Sequence, residues 1–388
     1  MRDGWVEYKF KDVATATKGK LPKNKNEVGI GIPYLTANFL RSNNADFWIE
    51  NLEGAVTAQE GDCLILWDGA GAGDLFTAKS GVVSSTMAVV TTKSSNVLRE
   101  FLTLFVSSKA NYIKETCRGT TVPHVSPDAI SNMELAIPPR PEQKRIVDLI
   151  SSVDSYIQAL QQQLDSAKKS RNAVLHELLT SGADDWVETT LGEIANWGSG
   201  GTPKADNPDF YDGEIPWCVI GDLTESDVWE TEKRITKLGL ANSSAKVIDP
   251  GSVLLAMYGA SIGRTGISAI PMATNQAIAF ARCDTNLVLP KYLLAYLQTQ
   301  KTKFVEMGQG AAQPNISQTI IKSWPVALPP ISYQDQLVST MDVFNTTLFS
   351  LQSSIQASKA LRSSLLSDLL SGEHEIPASY DKVRGTAQ

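Results

Sequence analysis

The sequence predicts a mixed α/β (α+β) fold: two globular units related by a pseudo-twofold axis and joined by two long antiparallel coiled-coil helices. Three observations carry this expectation. First, the chain repeats itself. Trp5-Val6-Glu7 returns as Trp186-Val187-Glu188, and later landmarks recur at an offset of 191. Pro138-Pro139 answers to Pro329-Pro330, and Gly119 with Pro123-His124-Val125-Ser126 answers to Gly310 with Pro314-Asn315-Ile316-Ser317. Second, a heptad seam runs through 142–180 and returns in the second half. Third, each unit mixes short β-like runs with one helical stretch. Two similar units imply an internal pseudo-dyad, which suits a two-part target.

Taken in order, 1–140 forms the first globular unit, with strands expected at 32–35, 62–67 and 86–90 and a helix at 98–116. Residues 141–182 form the central helix. The second unit spans 183–331, with strands at 215–220, 252–258 and 273–281 and a helix at 290–307. A C-terminal helix covers 332–372, and 373–388 is a polar tail.

The helices give the clearest periodicity. Ile146, Ile150, Val153, Ile157, Leu160, Leu164, Ala167, Arg171, Val174 and Leu178 alternate in steps of four and three. This is the a/d spacing of a coiled coil. Adding 191 gives Leu337, Met341, Phe344, Leu348, Leu351, Ile355, Ser358, Arg362, Leu365 and Leu369, so even the charged member Arg171 recurs as Arg362. Each seam is narrow, so the two helices pack on each other. A rod from Ile146 to Leu178 is roughly 50 Å long. An antiparallel pair spares the second unit from bridging that length. The repeated arginine suggests an open rod or a seam contacting other subunits there. Prolines precede both helices, at Pro138-Pro139 and Pro329-Pro330, and glycines close them, at Gly182 and Gly372.

Length and composition exclude other classes. A chain of 388 residues holds two or three domains with their own cores. It has neither a long apolar run nor a signal-peptide core, so a cytoplasmic protein without a membrane segment is expected. Cys63, Cys117, Cys218 and Cys283 are scattered, and only three histidines accompany them, which argues against disulfides and metal. The net charge is −7, but phosphate contact depends on the local field. Lys18 to Lys25 contains Lys20 and Lys23 and no acid, and it reads as an exposed basic loop.

Enzyme motifs fail on spacing. Gly259 to Thr265 resembles a phosphate loop but has three residues between its glycines and an arginine for the lysine, so a tight turn is expected. Asp128, Glu142 and Lys144 outline a metal-dependent nuclease motif, yet Glu142 opens a helix and the second copy lacks the acids. Asp206-Asn207-Pro208-Asp209-Phe210 only echoes an adenine methylase tetrad. A non-catalytic chain without cofactor or metal is expected.

Trp186-Val187-Glu188-Thr189-Thr190-Leu191-Gly192-Glu193-Ile194, then Gly200-Gly201-Thr202-Pro203, then Gly213-Glu214-Ile215-Pro216-Trp217 with Asp222-Leu223, resembles the opening of a target-recognition domain. Thr274-Asn275-Gln276-Ala277 and the Pro-Pro-x-x-x-Gln helix starts at Gln143 and Gln334 fit the same family, the specificity (S) subunits of type I restriction-modification systems. The order of units and helices resembles that family over essentially the whole chain. The first unit departs from it, with Lys18-Gly19-Lys20-Leu21-Pro22 and Ile32-Pro33-Tyr34. The resemblance implies a DNA-binding subunit whose two domains each read half of a bipartite, asymmetric duplex site. The helices would set the spacer and dock two methyltransferase subunits, and restriction/translocase subunits would join. DNA-contact candidates are Lys20, Lys23, Lys25, Arg118 and His124 in the first unit. In the second they are Lys204, Tyr258, Ser261, Arg264, Asn275, Gln276 and Gln313. The rival readings are a coiled-coil protein-interaction scaffold and a specificity module of another methylase-based defence system.

Overall fold

The structure is a computed structural model that describes residues 4–22, 24–119, 121–182, 185–308 and 314–381. The chain divides into two compact units. Unit 1 joins 1–162 with 352–388, and unit 2 is the continuous stretch 163–351.

In unit 1 an antiparallel sheet runs in the order Ala14–Lys18, Met87–Thr92, Cys63–Leu66, Leu75–Thr77. A second sheet runs Trp48–Ile49, Ile32–Leu35, Gly81–Val83, Thr57–Ala58, with its middle pair parallel. Unit 2 repeats both orders, as Ala195–Ser199, Ile278–Cys283, Val253–Ala256, Thr265–Ser268 and as Lys233–Ile235, Tyr211–Cys218, Met272–Thr274, Val247–Ile248. It adds a fifth strand, Asp227–Val228, beside Thr265–Ser268. A two-stranded ladder closes each unit: Val6–Lys9 on Glu134–Ile137, and Val187–Thr190 on Pro325–Leu328.

Two expected elements are corrected. The stretch 273–281 is two strands in different sheets, because Asn275 Oδ1 accepts the Ala277 amide at 3.1 Å and turns the chain between them. The helix expected at 98–116 is two helices, Arg99–Ser108 and Ala110–Glu115. At the break, the Ser107 and Ser108 hydroxyls donate to the Thr103 and Phe105 carbonyls and compete with the backbone ladder.

The long helices span Arg140–Thr180 and Ile331–Ser371. In unit 1 the start of the first packs on the end of the second: Ile146 and Ile150 share a core with Leu366 and Leu369. In unit 2 the end of the first, at Leu175, meets the start of the second, at Leu337 and Met341. The pair is therefore antiparallel. Every seam residue is buried or half-buried. Leu175 and Leu366, repeat counterparts outside the seam, are 3% and 4% exposed. The apolar stripe widens there because each helix end also packs on a globular core. The seam arginines find partners within their own units, Arg171 on Asn345 and Arg362 on Asp154, so neither requires another subunit. Gly182 and Gly372 close the helices at φ +79° and +77°, a conformation glycine takes without Cβ strain.

The Pro-Pro-x-x-x-Gln starts have a physical cause. Gln143 and Gln334 are fully buried. Gln143 accepts the Leu98 amide at 2.8 Å and donates to Asn96 O and Pro138 O. Gln334 does the same for Leu289, Leu287 and Pro329, each 191 positions on. One side chain thus fastens the strand exit and the loop before the globular helix to the long helix. The opening tryptophans pack on the residue just before each glutamine: Trp5 Nε1 donates to Glu142 at 3.3 Å, while Trp186 stacks obliquely on Tyr333 at 5.4 Å.

Candidate nucleic-acid interface

Four segments converge in each unit at corresponding places. In unit 1 Gly19 donates to Met87 O, Trp67 and Asp68 to Thr86 O, and Gly69 to Pro123 O, while Val125 donates back to Trp67 O. In unit 2 Gly200 and Gly201 donate to Ile278 O and Thr274 O, Met257 to Ala277 O, and Gly259 to Pro314 O, with Ile316 donating to Met257 O. The isolated bridges Asp68–His124 and Tyr258–Asn315 occupy matching positions. Glycine is required where the first segment passes the third. A Cβ on Gly19 would lie 2.1 Å from Val83 O, and one on Gly200 would lie 1.9 Å from Thr274 O.

The side chains at this common frame differ. Unit 1 presents charge: Lys18 is ion-paired to Asp68, Lys20 is exposed beyond Gly19, and Arg118 faces His124 across a two-way backbone bridge. Arg118 N donates to His124 O at 2.9 Å and His124 N to Arg118 O at 2.8 Å, so both exposed side chains flank the neck of one loop. Unit 2 presents neutral groups. Tyr258, Asn275, Gln276 and Asn315 gather there, with the Thr202 hydroxyl bonded to Gln276 Oε1. Trp217, buried, holds this edge by donating its indole to Gly201 O at 3.1 Å.

The other sequence candidates distribute as follows. Ser261 and Arg264 lie on the turn that follows Tyr258, where Arg264 N donates to Ser261 O at 3.0 Å. The turn is tight, as its glycine spacing implied. Lys204 is exposed two residues after Thr202. Lys25 stands apart from the four segments, its ammonium 3.8 Å from the Phe47 ring centroid. Lys23 and Gln313 lie outside the described residues.

Lys18, Asp68 and Thr202 are not among the DNA-contact candidates of the sequence. Thr202 was reachable through Gly200-Gly201-Thr202-Pro203, whose glycines the frame demands; Lys18 and Asp68 become legible only once their segments meet. Beside the unit 1 frame, Asp74 binds Lys114 at 2.7 Å and Arg41 at 2.7 Å. The hydrogen bond from Lys114, reinforced by Arg41, holds the Asp74 carboxyl below its ordinary range. No cluster of metal-ligating side chains occurs among the described residues.

A frame that offers exposed Arg, Lys and His in one unit and Asn, Gln and Tyr in the other can hold phosphates and pair with base edges. Comparisons with known proteins agree in kind. A family model described as the type I restriction modification DNA specificity domain matches twice, over residues 2–169 and 183–358. The type I restriction enzyme MjaVIII specificity subunit of Methanocaldococcus jannaschii is 25% identical, with 87% of this chain and 85% of the relative covered. The EcoBI specificity subunit of Escherichia coli is 23% identical over 99% of this chain and 92% of its own. Among solved structures, the S subunit of a type I restriction-modification system from M. genitalium superposes with a TM-score of 0.58 at 15% identity, covering 94% of this chain and 96% of its own. A chain from a structure of type I complex assembly and conformational transition gives 0.63 at 18% identity, covering 95% and 98%. The structural likeness is one of fold.

Proposed function

This chain belongs to the type I restriction modification DNA specificity family, and from that premise we propose that its two units each read one half of a split, asymmetric duplex target. The observation that carries the reading is the shared four-segment frame with unlike side chains. Equivalent frames place readers equivalently, and different readers select different half-sites. In unit 1, Lys20, Arg118 and His124 supply phosphate contacts and donors to guanine. In unit 2, Asn275 and Gln276 pair with adenine edges in the major groove, with Thr202 fixing the Gln276 amide. Lys204 and Arg264 hold the backbone beside them.

The antiparallel helices act as a ruler for the spacer and as the docking surface for methyltransferase subunits, with a translocase-nuclease subunit joining for restriction. The chain itself performs no chemistry. Among the described residues no helix is long and apolar enough to cross a membrane.

Methylome sequencing of cells with and without the gene tests this directly. The expected result is one bipartite motif that disappears with the gene, and whose one half alone degenerates in an Asn275→Ala, Gln276→Ala variant. An unchanged methylome, or degeneration of both halves together, would sink it.

A further inference from the structure

Unit 1 contains a cleft of about 520 Å³ between the break in its globular helix and the last turns of the second long helix. Its charged lining is Lys109, Lys359 and Arg362, its hydroxyls include Ser107, Ser363 and Ser367, and no carboxylate lines it. Arg362 is balanced by Asp154, and the Lys109 ammonium has the Phe105 ring 5.5 Å away. Among the described residues Lys359 makes no ion pair. Two cations thus face one cavity without an acid between them.

The repeat changes the residues that line this opening. Gln298 stands where Ser107 does, accepting from Arg171 at 3.1 Å and donating to Glu225 O at 2.8 Å. Asn172 and His176 stand where Ser363 and Ser367 do. Larger side chains stand at these positions in unit 2, where unit 1 has small hydroxyls; Lys359 recurs as Lys168, whereas Lys109 is replaced by Gln300. A cleft of this size suits a small-molecule group or a stretch of backbone, and convergent ammonium and hydroxyl donors suit an oxyanion.

We propose that this cleft binds a phosphate group, held by Lys109 and Lys359 with the hydroxyls of Ser363 and Ser367, and contributed either by a free nucleotide or by the backbone of duplex DNA. The helix Ala110–Glu115, about 9 Å long, lies between the cleft and Arg118 in the chain. Only the DNA source rests on the function proposed above.

The test uses the full chain and Ser107→Gln, which installs the residue of unit 2 without changing charge, with Lys359→Gln as a second variant at an exposed position. Titrations with inorganic phosphate and ATP, read by calorimetry and melting temperature, address the free source. The salt dependence of binding to random-sequence duplex DNA addresses the backbone. If the free source holds, phosphate and ATP bind the wild type and each variant loses about tenfold in affinity. If the backbone holds, free phosphate is inert and the slope of log affinity against log salt falls by about 0.9 for each contact removed. Wild type and variants that agree in both assays overturn the proposal. A wild type that binds no duplex would defeat the DNA reading, while the nucleotide titration would still decide the cleft.

Discussion

Arg362 donates through Nε and Nη2 to both carboxylate oxygens of Asp154, the second contact at 2.9 Å, and the repeat reproduces the pair with one change. The residues 191 positions away are Arg171 and Asn345, and Arg171 Nε donates to Asn345 Oδ1 at 3.0 Å. The same crossing is an ion pair in unit 1 and a neutral hydrogen bond in unit 2. Antiparallel register is thereby marked twice, once in each unit.

Asp154→Asn gives unit 1 the chemistry of unit 2. Because Arg362 and Asp154 are 27% and 46% exposed, screening limits the loss to under about 1 kcal/mol. Arg171→Ala costs more, about 2 kcal/mol, since the half-buried Gln298 loses its donor. Urea denaturation at low and high salt checks both, and the Asp154→Asn deficit should shrink at high salt. A salt-independent deficit would exclude the electrostatic account.

Gln143→Ala and Gln334→Ala each strand one amide and two carbonyls beneath the start of a long helix. Each should cost about 3 kcal/mol. Equilibrium unfolding measures this, and a loss below about 1 kcal/mol in both would show that water replaces the clamp.

Deleting one heptad from each long helix preserves the seam and both end contacts while shortening the rod by about 10 Å. The preferred spacer between half-sites should then shorten, with each half-site still read. Methylation-site sequencing of the deletion variant decides this, and an unchanged spacer would remove the ruler.

Burial pushes the thiols of Cys63, Cys218 and Cys283 up to about 12 from an ordinary value of 9.0. Unfolded thiols release their protons near 9, whereas the native ones hold theirs to about 12. The native state therefore binds more protons in that window, and stability is complete below pH 9 and falls as pH rises toward 12. Cys117 and Cys283 are both half-buried, but burial holds the Cys283 thiol up to about 12, so native alkylation at mildly alkaline pH should reach Cys117 first, by mass spectrometry. Equal labelling of all four would contradict the burial.

Periodic features were readable from the sequence because periodicity is local. The seam needs only steps of three and four, and the glycine stops and proline starts need only their neighbours. The split of 273–281 escaped because a turn of three residues interrupts two apolar runs of the same character. The parallel pairing of Ile32–Leu35 with Gly81–Val83 has no local signature. At the frame, His124, Asn275 and Gln276 stood out through their polarity near glycine and proline. Lys18 with Asp68, and Thr202 with Gln276, are joined across long stretches of chain. Lys25 is a DNA-contact candidate in the sequence, whereas in the structure it caps the Phe47 ring, which lies far along the chain.

The division of the chain into an interrupted unit and a continuous one sets an order of birth. Leu366, Leu369 and Ile376 complete the core that holds Phe10 and Ile146, so residues 4–162 emerge from the ribosome long before their last partners do. Residues 163–351 can close as soon as they are made. The half synthesised second is thus the first able to finish folding, and the half synthesised first must wait with Ile146 and Ile150 uncovered. A ribosome that stalls within the final helix would release a chain with a finished second half and an open first half, a substrate for chaperones and proteases.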